Sequence, residues 1–403
     1  VLTGILMGVG LGVALGLISG LIPGVHVNTM AGVLLASQGL LLSFLGYDMV
    51  AAAMFAALIT HTFLDIIPST FLGVPDADTA LSVLPAHSLC LEGKGEEAVR
   101  ISALGSAVAV GAAMPLFLIF FFILPAVQPA IDWAIGIILI AVAGLLIVYS
   151  DSPEWSCALF VVSGFLGLFA FHYAWLSWHT LGTSSLLMPL LSGLFGVSVL
   201  LTASHGSMPD QHFSGIGMDH RSIIRHSVIG TVAGSVVGWL PGLSNATANA
   251  LLSLGISYDD ERRGYIVATS AANTANAFLA LAALFSLSRM RNGVMVALAA
   301  GDLPPVEGLL LAGAGAALIA YLLTVRLSRC AKLFNGINIR KTSYAVIAGV
   351  VLISFVLCGP FGLFILGCAT VLGCVPHLVN VRRVTCMGAV MVPVIVMSYG
   401  IPL

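Results

Sequence analysis

The sequence predicts an all-α polytopic membrane protein, with roughly 10–12 transmembrane helices in two related halves containing broken helices and re-entrant hairpins. Three observations carry this reading. Of 403 residues, 59% are hydrophobic and 8% charged, where a soluble domain carries about a quarter charged. So little polar surface excludes soluble enzymes, disordered chains and nucleic-acid binders. Apolar stretches of span length recur at 98–124, 131–149, 155–173, 222–240, 265–287, 306–325, 342–357, 360–376 and 385–402, each near the ~20 residues that a crossing needs. Finally, Gly12, Gly16, Gly20, Pro23, Gly24, Thr29 and Leu34 recur 218 positions later as Gly230, Gly234, Gly238, Pro241, Gly242, Thr247 and Leu252. The ten-residue alternation of a β-barrel is absent.

In chain order, residues 1–47 hold no Asp, Glu, Lys or Arg. Lacking a basic n-region and running into further apolar sequence, they read as membrane-embedded chain, not as a cleavable signal peptide. Their glycines at every fourth position line one helix face and let backbones approach closely; helix packing alone explains that ladder. Pro23-Gly24 is different. Pro removes an amide donor and Gly relaxes the backbone, so the helix breaks inside an apolar stretch, and His26, Asn28 and Thr29 follow. In the second copy Pro241-Gly242 is followed by Ser244, Asn245, Thr247 and Asn249.

A broken helix in lipid needs protein or a water-filled cavity to satisfy its freed backbone groups. Paired breaks with small polar residues mark the substrate sites of repeat-built secondary transporters. The helix restarting after each break aims free N–H groups at the cavity, which suits an anion; the carbonyls of the preceding end suit Na⁺. The two halves are read as 1–200 and 201–403.

A second polar insert, THTFLDIIPSTFLGVPDADTA at 60–80, places a hairpin at 66–80. Asp76 and Asp78, with Thr79 and Asp65, are the candidates for a coupling Na⁺ or H⁺. An exposed loop capping a helix at 79–90 is the alternative for Asp76 and Asp78. Residues 92–100 read as a solvated loop without chemistry. The counterpart hairpin falls at about 270–300, where Ser270, Asn273 and Asn276 lie on or beside one helical face and Arg289 and Arg291 follow. These arginines either compensate the charge of an anionic substrate or belong to a short cytoplasmic loop.

The basic loop 326–341 and the pair Arg382 and Arg383 are separated by two spans joined at Cys358-Gly359-Pro360. Both loops therefore fit the cytoplasmic side. The formal net charge of −2 implies no polyanionic partner, and the seven cysteines form no C-x-x-C pair, so no structural metal or disulfide framework is expected. Six histidines between 172 and 226 lie beside Trp175 and Trp178, which fits an interfacial belt. No phosphate-binding G-x-x-x-x-G-K-[ST] sequence occurs, so the chain carries no ATP-driven chemistry of its own. An intramembrane enzyme would need a Ser–His or paired-Asp arrangement, for which His61, Asp65, Asp76 and Asp78 are the only loose material. A channel would need a continuous polar pore in place of two closed breaks.

The block PSTFLGVPDADTALSVLPAHSLCLEGKGEEAVRISALGS (68–106), both Pro-Gly breaks and SAANTAN (270–276) resemble the large membrane subunit of tripartite tricarboxylate transporters, the TctA-like permeases. The resemblance covers about three quarters of the chain by pattern. It implies a cell-membrane, non-enzymatic permease for ion-coupled uptake of a carboxylate, with no cofactor beyond Na⁺ or H⁺. It further implies a small membrane subunit and an extracytoplasmic binding protein as partners. It places the residues after both breaks, the Gly73–Thr79 loop, Asn273 and Asn276 along the substrate path. The sequence departs from the family pattern at SLSRMRNGV (286–294) and at His26. A more distant similarity to polyprenyl-phosphate translocases offers a lipid phosphate as the alternative anion, to which two arginines would be suited. Membrane lipids surround either version, and a homo-oligomer is compatible with both.

Overall fold

The structure is a computed structural model that describes residues 2–22, 45–74, 81, 83–150, 152–178, 186–202, 208–239, 245–257, 261–299, 303–336 and 338–401. In chain order the helices are α1 (Leu2–Leu21), α2 (Tyr47–Leu64), α3 (Ile66–Leu72), α4 (Val83–Leu91), α5 (Gly95–Val148), α6 (Pro153–His172), α7 (Leu187–Thr202), α8 (His220–Trp239), α9 (Asn245–Gly255), α10 (Arg262–Leu287), α11 (Gly293–Ala299), α12 (Val306–Ser328), α13 (Ile339–Leu378) and α14 (Gly388–Ser398). The protein is thus an all-α, multi-pass membrane protein.

Among the described residues seven helices are long and apolar enough to cross a membrane, beginning at Leu2, Tyr47, Gly95, Pro153, Arg262, Val306 and Ser343. That is fewer than the ten to twelve read from hydropathy. Asp132–Val148, Leu187–Thr202 and Arg383–Ser398 are apolar but shorter. Helix α8 is diluted by Arg221, Arg225 and several Gly, Ser and His residues. Helix α13 reverses at Gly359, whose φ of 68° and ψ of −161° break the helical path. A side chain at Gly362 would come within 3.1 Å of the Ser354 carbonyl, whereas a continuous helix holds residues eight apart roughly 12 Å from each other. The two limbs therefore lie side by side, as Cys358-Gly359-Pro360 suggested, and the ring of Trp178 covers the turn.

Both glycine ladders are packing surfaces. Gly8, Gly12, Gly16 and Gly20 of α1 face Ala52, Ala56, Thr60 and Leu64 of α2. Gly230, Gly234 and Gly238 of α8 face Ala268, Ala272 and Leu279 of α10. In each pair the partner's numbers rise with the ladder's, so α1 runs parallel to α2 and α8 parallel to α10. The ends at residues 22 and 45 consequently sit at opposite ends of the first pair. Helices α2 and α10 instead run antiparallel: Phe55 meets Phe278 edge to face, while Thr62 and Asp65 meet Thr274 and Asn273. These two helices, buried along nearly their whole length, form the centre of the bundle. Around them pack α12 on α2 and the long α5 on α10, with Gly105 of α5 pressed onto the Val267 backbone.

Candidate polar site at the centre of the bundle

Helix α2 stops at Leu64 because Pro68 has no N–H for the Leu64 carbonyl and its ring would crowd that group. Asp65 becomes the joint (φ −58°, ψ −24°), its amide donating to the His61 carbonyl at 3.0 Å. The short α3 then ends at Gly73, whose φ of 66° is left-handed. The Asp65 side chain meets the middle of α10, where the Asn273 amide donates to its carboxylate at 2.8 Å. Both side chains are buried.

Other polar groups gather at the same level. The Thr62 and Thr274 hydroxyls are 3.1 Å apart, and His61 Nδ1 shares a hydrogen bond of 3.1 Å with Ser19 of α1. Ser69 donates to the Asp65 carbonyl at 3.0 Å, and Ser102 of α5 meets Ser270 of α10 at 2.8 Å. The Thr60 and Thr70 hydroxyl oxygens are buried with no hydrogen-bond partner among the described residues. A carboxylate so enclosed costs several kcal/mol to desolvate, so packing alone does not account for an acid here.

Further polar groups come from α8, α9 and the chain after α10. Asn245 and Asn249 are fully buried in the first turns of α9, and the Tyr265 hydroxyl donates to the Asn249 carbonyl at 2.7 Å. A side chain at Gly238, near the end of α8, would approach the Asn276 carbonyl at 3.2 Å and its amide oxygen at 3.3 Å. Ser288 closes α10 in a left-handed conformation, φ 54°. From the segment that follows, Arg291 donates to the Val237 and Gly238 carbonyls at 3.2 and 3.3 Å. Arg289 instead pairs with Asp132 of α5, with one donor–acceptor distance of 3.0 Å.

The structure thus joins two residues singled out in the sequence, Asp65 and Asn273, and sets Asn276 and Arg291 at the end of α8. Pro23, Gly24, His26, Asn28 and Thr29 lie outside the described residues, as do Asp76, Asp78, Thr79, Pro241, Gly242 and Ser244, and the side chain of Thr247 is likewise not described. Sequence reasoning passed over Ser19, His61 as a partner of Ser19, and Asp132. Asp132 was legible in principle, being the lone charge between Arg100 and Asp151.

The stretch 92–100 is more than a solvated loop. Gly95 begins α5, and the buried Glu97 accepts from Arg263 at 2.7 Å and from the Gly217 amide at 2.7 Å. Glu92 accepts from Arg262 at 2.6 Å. Among the described residues no group of three or more His, Cys, Asp or Glu is placed to hold a metal ion. An apolar groove of about 710 Å³ lined by Phe165, Phe169, Tyr173 and Phe364 holds none of the polar residues above.

Comparison with known proteins bears on the same stretch of chain. The model of the tripartite tricarboxylate transporter TctA family matches residues 6–388. An uncharacterised protein of Methanocaldococcus jannaschii is 28% identical over 274 residues, or 67% of this chain and 66% of the relative. The chain therefore spans slightly under two thirds of that relative's length. No solved structure matches it.

Proposed function

This chain belongs to the tripartite tricarboxylate transporter TctA family, and from that premise we propose that it is the membrane permease for ion-coupled secondary transport of an organic anion, a carboxylate. The observation that carries the reading is the Asp65–Asn273 pair, an ionisable group buried between α2 and α3 at the centre of the bundle. Ionisable residues inside a membrane protein default to a functional role because their burial is costly. In this reading Asp65 takes the coupling cation, Na⁺ or H⁺, together with Asp76, Asp78 and Thr79. The anion is held by N–H groups and side chains at the two breaks, around Asn28 and Thr29 and around Asn245 and Thr247 at the start of α9. Asn273 and Asn276 border its path.

The two breaks belong to halves 1–200 and 201–403 related by inverted topology. This is supported by the parallel ladder pairs α1/α2 and α8/α10 and by the antiparallel crossing of α2 and α10, which turns one pair upside down relative to the other. Hairpins following α2 and α10 complete each half. A small membrane subunit and an extracytoplasmic binding protein deliver the anion. The two arginines that would suit a lipid phosphate both have contacts within the protein: Arg289 with Asp132, Arg291 with backbone carbonyls.

Proteoliposomes test the reading. Labelled di- and tricarboxylate uptake should depend on an imposed Na⁺ or H⁺ gradient and vanish in Asp65→Asn. Uptake that persists in that variant at the wild-type rate and ion dependence would remove Asp65 from the mechanism. Binding of polyprenyl phosphate and of no carboxylate would overturn the substrate class.

A further inference from the structure

The end of α8 is the place where a repeat-built transporter would hold a small cation. The last carbonyls of a helix have no intrahelical donor and carry partial negative charge. Here two of them, on Val237 and Gly238, accept from one guanidinium, that of Arg291. The arginine reaches them from the chain after α10, which turns at Ser288, so it comes from outside the helix that it caps.

A second observation concerns register. Gly20 packs on Leu64, and Gly238 packs on Leu279. Aligned on those leucines, THTFLD (60–65) lies over ANAFLA (275–280), and Asp76 falls on Arg291. One half thus carries an acid, which needs a cation, where the other carries a base that is a cation already.

We propose that Arg291 is a resident cation occupying, at the end of α8, the position of a second coupling ion. The permease would then bind a mobile cation only on the side of Asp65. The inference rests on the transport reading for that consequence, but the site itself can be tested without substrate.

The test is thermal unfolding of the purified full chain in detergent, titrated with NaCl, LiCl and KCl against choline chloride at constant ionic strength. Arg291→Met keeps the length of the side chain and removes its charge, and Arg291→Lys keeps a charge. Each is also measured in an Asp65→Asn background, so that a cation bound near Asp65 does not contribute. The Met variant should gain a saturable rise in melting temperature with at least one alkali cation, absent from the wild type and from the Lys variant in the same background. A folded Met variant that is flat in all three salts overturns the proposal. If the Met variant does not survive in choline, purification in the alkali salts decides: recovery supports the resident-cation role and continued loss overturns it. Loss of the Lys variant alongside would mark a need for guanidinium shape and would also overturn it. Failure of carboxylate transport would leave these outcomes readable.

Discussion

Replacing Gly12 by Ala puts the ladder to a direct test. A Cβ at that position would sit 2.5 Å from the Ala53 carbonyl oxygen, 2.6 Å from the Ala56 Cβ and 3.0 Å from the Ala57 amide nitrogen. Two of these atoms are backbone and the third is a Cβ, so no rotamer change relieves the clash. Ordinary carbon–oxygen contact begins near 3.4 Å, so α1 must retreat from α2 by roughly 0.9 Å, with neighbouring contacts at Gly8 and Gly16 loosened as well. Overpacking of this kind costs about 1–3 kcal/mol, and the rigid neighbours place Gly12 toward the upper end. Gly10, on the same helix, has nothing within 4 Å of its would-be Cβ. There Ala should be neutral, or stabilising by up to about 1 kcal/mol through helix propensity. The assay is the temperature of half-loss of monodisperse protein in detergent, read by size-exclusion chromatography. Gly12→Ala should fall by several degrees and Gly10→Ala should match or exceed the wild type. Gly8→Ala combined with Gly12→Ala should cost less than the sum of the two, because the first substitution has already parted the helices. Equal melting of the Gly10 and Gly12 variants would refute the close backbone approach.

Further expectations can be checked alongside. Asp65→Asn should fold, since an amide oxygen can still accept from Asn273, and should abolish ion-coupled uptake; loss of folding in place of transport would make Asp65 structural. Asn245→Ala should weaken anion affinity measured by substrate-induced thermal shift, and an unchanged affinity would remove α9 from the anion site. The Asp132–Arg289 pair is about one-third exposed on both sides, so a double-mutant cycle with Asn and Gln should return a coupling of at most ~1 kcal/mol that shrinks with salt. The hydrogen bond from Arg262 holds the Glu92 carboxyl below the usual carboxylate range. Its contribution is complete at neutral pH and is lost only as pH falls through that lowered range, so Glu92→Gln should flatten the acid limb of the stability profile.

How much of this was legible in the sequence depends on separation along the chain. The glycine ladders were, because residues four apart share a helix face whatever the tertiary fold. The turn at Gly359 was too, since proline and glycine act on their own backbone. Asp65 and Asn273 were both noticed, but nothing local says that residues so far apart meet. The glycines of α1 and α8 stand 218 residues apart, whereas the leucines they pack on, Leu64 and Leu279, stand 215 apart, so a search at one fixed offset does not align both. Among the described residues seven helices have span length, and hydropathy alone does not separate a full crossing from a short buried helix such as α7.

Among the described residues, the ion pairs that join the stretch 92–132 to α10 and the segments flanking it run one way: Glu92 to Arg262, Glu97 to Arg263, Asp132 to Arg289, with Asp65 to Asn273 in between. Each acid comes from the first half of the chain and each donor from the second. The whole sequence is sorted likewise, with two basic and ten acidic residues in 1–200 against thirteen and seven in 201–403. The cross-chain ion pairs therefore bring an acid-rich stretch of sequence against a base-rich one, and a chain whose formal net charge is only −2 is held together across its middle by that division.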